Sequence, residues 1–164
     1  MNFSSIKEYF YKLYNLCYLL LLLPLGIFIF IYYQLHEDKI VPVVQDELHI
    51  LLLAGGAFIL VLANLTTVHW LAGRRLKKYA RLPGLGLKLD HYYEIIFLRF
   101  ASGAISSLLL AIGLMLTESE YFPYIFVLVL AVMATQWPTS RKACRELKLR
   151  GDEYTMVMDK KDSF

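Results

Sequence analysis

The chain has 164 residues, of which 58% are hydrophobic, including 10 Phe and 12 Tyr, and a mean hydropathy of +0.50. A soluble globular domain carries about 45–50% apolar residues, so this composition excludes an ordinary soluble domain and requires that much of the surface face something other than water. The formal charge of +3 is small, but it is segregated along the chain, which argues for orientation in a membrane rather than for nucleic-acid binding.

The apolar residues collect into four runs, each near the ~20 residues a helix needs to cross ~30 Å of hydrocarbon. Ser5-Ile6-Lys7-Glu8 reads as a capping box and predicts a helix start, with Phe3, Ile6, Phe10 and Leu13 at helical spacing beside Lys7 and Lys12. The first span is expected over about 13–33, with Pro24 and Gly26 able to kink it. No small-residue cleavage site follows this run, so it reads as a retained span rather than a signal peptide.

Residues 36–47 are acidic and broken by Pro42, as suits an external loop. The second span is expected over about 48–71. Gly55 and Gly56 lie in its outer half, where small residues let helix backbones approach closely. Beyond it, 72–91 holds six of the 17 Lys and Arg (Arg74, Arg75, Lys77, Lys78, Arg81 and Lys88) against one acidic residue, Asp90. Helix-compatible residues extend the second helix to Tyr79, and Pro83, Gly84 and Gly86 end it. The basic segment is expected to meet anionic lipid at the cytoplasmic face or an acidic partner.

The third span is expected over about 92–116 and the fourth, barely long enough to cross, over about 121–137. The tail carries seven Lys and Arg and is expected to form a short helix through Leu149, ending before Gly151. Arg150-Gly151-Asp152 resembles an adhesion tripeptide but reads as a helix-ending glycine with polar neighbours. The external loops carry Glu37, Asp38, Asp46, Glu47, Glu118 and Glu120 against Lys39 alone. The positive-inside rule then predicts an all-α membrane protein: four transmembrane helices in an up-and-down bundle (residues 1–138), both termini cytoplasmic, with 139–164 as a basic cytoplasmic tail. Its expected location is a bacterial cytoplasmic (inner) membrane.

Arg99 is the one full charge well inside a span. At ~100° per residue, Ser102, Gly103, Ser106 and Gly113 share its side of the third helix. Together with Gly55 and Gly56 they form the expected packing surface between the second and third spans. Depth matching across the antiparallel second span predicts an Asn64–Arg99 contact, with His69 and Glu94 nearby at the interface. The four make a candidate intramembrane polar cluster, for which a purely structural role of Arg99 is the competing reading. Glu94 itself sits about 140° from Arg99 around the helix, too far for a direct bridge.

Haem is the cofactor to weigh, because paired imidazoles across a bundle are a recurring axial ligation. His49 and His69 lie about 30 Å apart along one helix. The pairs His36 with His49 and His69 with His91 would fall at wet interfaces, so no cofactor is expected, haem remaining the one alternative. Cys17 and Cys144 give no disulfide or metal framework, and no catalytic or metal-binding motif is present. The expected function is therefore non-enzymatic: an accessory or scaffold subunit of a larger membrane complex, or a homo-oligomer. The alternatives are a small transporter or channel and a haem- or quinone-binding redox subunit.

Overall fold

The computed structural model describes residues 5–37 and 39–159. Phe3 of the amphipathic start, Asp38 of the acidic loop, and Lys160 and Lys161 of the tail lie outside the described residues. Six helices follow one another: α1 (Ile6–His36), α2 (Glu47–Tyr79), α3 (Leu85–Thr117), α4 (Tyr121–Thr135), α5 (Ser140–Glu146) and α6 (Asp152–Met158), with no strand among the described residues. Helices α1, α2 and α3 are each long and apolar enough to cross a membrane. Helix α4 has 15 residues, about 22 Å at 1.5 Å per residue, and would complete a fourth crossing only together with α5, from which a 77° bend separates it.

The start of α1 follows the capping signal: Ser5 Oγ accepts from the Glu8 amide at 3.2 Å, while the Glu8 carboxylate pairs with Lys12 one turn on. Pro24 stands inside a helix that runs unbroken from Ile6 to His36. Consecutive long helices alternate in direction, giving the molecule a basic end and an acidic end. At the basic end Tyr9 Oη donates to the Leu89 carbonyl at 2.9 Å, tying the first turns of α1 to those of α3. At the acidic end the amides of Val43 and Val44 both donate to the Leu116 carbonyl at 3.0 Å, so the α1–α2 loop satisfies a carbonyl that the end of α3 leaves open.

Helix α3 is the axis of the fold. In its most apolar 18-residue window 61% of residues are buried, against 17% in α1 and 11% in α2, because α1, α2 and α4 each pack along α3 while α1 and α2 make little contact with each other. Most fully buried large side chains lie towards the basic end, among them Ile6, Tyr9, Phe10 and Leu13 of α1 and Leu89, Tyr92, Ile95 and Ile96 of α3. Above them the outer surfaces are apolar and bare: Leu51, Leu52, Ile59 and Leu60 on α2, Phe97, Ile105 and Ile112 on α3, Tyr124 and Val127 on α4.

The second helix runs to Tyr79 as expected, but two boundaries shift. Helix α3 begins at Leu85 rather than near 92, leaving only 80–84 between α2 and α3. Gly84, with φ +83°, makes that turn; its missing Cβ removes the penalty for left-handed backbone. The short tail helix ends at Glu146, not Leu149, and a second follows from Asp152. Gly151, with φ +57°, therefore opens α6 instead of closing α5. The tail packs onto the bundle: Ala143, Cys144, Leu147, Leu149 and Val157 are all buried.

Candidate functional site

Lys88, Tyr92, Ile95, Arg99, Ser102 and Ser106 recur at alternating spacings of four and three, which sets them along one stripe of α3. Two separate elements meet the polar members. From the tail, Glu146 at the end of α5 receives Arg99 Nη1 on both carboxylate oxygens at 3.1 Å. Eleven residues back along α3, Lys88 Nζ donates to Glu153 of α6 at 2.7 and 3.0 Å. Two ion pairs therefore fasten the tail at points about 16 Å apart on the axis of α3, with the apolar tail residues adding burial.

The Arg99 pair is the more deeply placed. The Arg99 side chain is 4% exposed and that of Glu146 17%, against 11% and 31% for Lys88 and Glu153. Arg99 Nε has no hydrogen-bond partner among the described residues, and the buried Tyr92 hydroxyl lies beside the Glu146 carboxylate outside hydrogen-bonding geometry. Low dielectric strengthens such a pair but makes either member costly if left alone.

Asn64 meets the outer half of the stripe. Its Nδ2 donates to the Ser102 carbonyl at 3.1 Å and to Ser106 Oγ at 3.0 Å. The expected Asn64–Arg99 contact is not among these: Asn64 meets the same face of α3 one to two turns beyond Arg99, whose partner comes from the tail. His69 is exposed on α2. Glu94 is exposed on α3 and pairs with His91 Nδ1 at 3.3 Å, and the His91 ring stacks on Tyr79 at 4.2 Å. The four residues Asn64, His69, Glu94 and Arg99 therefore do not meet at one point. Hydrogen bonds of this kind between membrane helices average roughly 0.6 kcal/mol and reach about 1.7. Asn64→Leu should therefore lower stability by about 1 kcal/mol, measured as a shift in the unfolding midpoint in detergent, whereas His69→Leu should leave it unchanged.

The small-residue surface divides in two. Ser102 and Ser106 face α2 through Asn64, but Gly103 and Gly113 receive α4: a Cβ on Gly103 would stand 2.6 Å from Met133 Sδ, and one on Gly113 2.1 Å from the Phe122 ring. Among the described residues nothing lies within 4 Å of where a Cβ would sit on Gly55 or Gly56, so neither closely packs α2 on another helix; Gly56 lines an open groove beside Leu109 and Ile112. Of the basic set, Lys88 is taken up by Glu153 and the Arg74 guanidinium stacks over Trp70 at 3.6 Å. Arg74, Arg75, Lys77, Lys78 and Arg81 are exposed.

The tail also sets its own cysteine, Cys144, apart from water. Among the described residues no group of three or more His, Cys, Asp or Glu could hold a metal ion. The stripe thus carries charge pairing and hydrogen bonding that close the tail and α2 onto α3. Sequence reasoning missed Glu146 and Glu153. A signal was present, since Glu146 is the one acidic residue among the five cations Arg141, Lys142, Arg145, Lys148 and Arg150. Compared with protein-family models, curated proteins and solved structures, the chain matches none.

Proposed function

We propose that this chain is a multi-pass protein of a bacterial inner membrane, with α1, α2 and α3 as crossings, α4 together with α5 as the fourth and both termini on the cytoplasmic side, acting as a non-enzymatic accessory or scaffold subunit of a larger membrane complex or of a homo-oligomer. The charge pattern supports the orientation, since the basic segments share one end and the acidic loops the other. The observation that carries the subunit reading is the bareness of α2. It has a strongly apolar span of which only 11% is buried, and it presents Gly55 and Gly56 with nothing among the described residues within 4 Å of a Cβ on either. Paired glycines cost helix stability, about 1 kcal/mol each relative to Ala, and their use in a membrane helix is to admit a second helix at short range. The exposed basic turns Arg74–Arg81 add attraction to anionic lipid at the same end.

The test is mild detergent purification with light scattering and mass spectrometry of what accompanies the chain. A particle well above the 19.0 kDa of one chain is expected. Gly55→Leu with Gly56→Leu should reduce it to the single chain while leaving helicity unchanged. A monodisperse single chain for the unaltered protein would overturn the subunit reading.

A further inference from the structure

The 77° bend between α4 and α5 encloses an open cavity of 430 Å³ whose lining includes Thr135, Trp137, Arg141, Lys142 and Arg145. Helix α5 is two-sided. Ala143, Cys144 and Leu147 are buried in the bundle, while Arg141 and Arg145, four residues apart and so on one face, line the cavity. Neither Arg141 nor Arg145 has an acidic partner among the described residues. Lys142 reaches back across the bend, its Nζ donating to the Thr135 carbonyl at 2.8 Å.

Glu146 is already committed to Arg99, so the bend holds an excess of positive charge. Trp137 supplies an aromatic wall, its ring 4.9 Å from Tyr18 and 5.8 Å from Phe100. Trp and Tyr of this kind gather at the headgroup level of a bilayer. A helix of about 22 Å is also too short for ~30 Å of hydrocarbon, so these cations are drawn in to where acyl chains would otherwise begin.

We propose that the α4–α5 bend seats the phosphate headgroup of an anionic phospholipid from the leaflet on the basic side, Arg141 and Arg145 donating to its oxygens from one helix face beside Lys142. Its acyl chains would run along the exposed surface of α4 at Val127 and Leu128. This rests on the membrane reading above, which a separate result can sink: release of the unaltered protein from membranes by alkaline carbonate.

The experiment measures dioleoyl phosphatidylglycerol bound to the detergent-purified full chain by native mass spectrometry, with dioleoyl phosphatidylcholine and inorganic phosphate as the other probes. A basic residue near an anionic surface contributes enough for about a fivefold change in binding. Arg141→Gln with Arg145→Gln should therefore weaken phosphatidylglycerol retention roughly 25-fold, while Lys148→Gln with Arg150→Gln, the same change of charge at exposed tail positions outside the cavity lining, leaves the tightly held lipid in place. Equal retention by the Arg141/Arg145 variant, equal retention of phosphatidylcholine, or displacement of the lipid by millimolar inorganic phosphate would each overturn the proposal. A photoactivatable phosphatidylglycerol on the unaltered chain gives a readout that needs no variant to fold. Adducts on residues 134–145 are expected, and adducts confined to 70–81 would count against the site.

Discussion

Glu146→Leu should destabilise the protein by about 3–5 kcal/mol, the cost of stranding one member of a buried ion pair. The Arg99 side chain is 4% exposed, its Nε already lacks a partner among the described residues, and Nη1 would lose both carboxylate contacts. The double variant Arg99→Met with Glu146→Leu should recover most of that loss, because removing both charges together also removes the desolvation cost of each. Unfolding in one detergent across the four members of the cycle isolates the coupling. If the double variant were as unstable as Glu146→Leu alone, lost packing rather than stranded charge would be the cause. Lys88→Met should cost far less, since the Glu153 side chain is 31% exposed and water can screen it.

Gly113→Ala should cost about 1–3 kcal/mol, as overpacking of a filled contact does, and Gly103→Ala clearly less. Both glycines receive α4, but the obstacle differs. At Gly113 a new methyl group would stand 2.1 Å from the ring of Phe122, which is fully buried and turns as one rigid plate. At Gly103 it would meet the thioether of Met133 at 2.6 Å, an unbranched chain that can swing aside. Replacing either glycine also gains up to about 1 kcal/mol of helix propensity, which could leave Gly103→Ala near neutral. Unfolding midpoints of the two variants give the comparison, and equal losses would refute the distinction between ring and thioether.

Much of the basic end is legible in the order of the residues. Ser5 and Glu8 mark the start of α1, the continuation of α2 to Tyr79 follows from helix-forming residues, and the stripe headed by Arg99 is a matter of angular arithmetic on α3. These are local properties in which residues three or four apart share a face. The same angular arithmetic gives the face of α3 that Asn64 meets, but depth matching, in which antiparallel neighbours convert sequence distance into depth, slips by one to two turns along the axis. The apolar boundaries from which depth is measured are not the helix ends, since the helices run well past them into the basic segment.

The sequence by itself determined an all-helical chain with long apolar helices, a basic end and an acidic end, because period and charge are written locally. Only the tertiary structure decided that α3 is the axis, that Gly103 and Gly113 receive α4 while Gly55 and Gly56 meet no close neighbour among the described residues, and that the tail closes the basic end through Glu146 and Glu153. Those contacts join residues 47 and 65 apart across a bend and a turn whose angles no periodicity encodes. A buried guanidinium states only that it needs a carboxylate, and the path of the backbone selects which one.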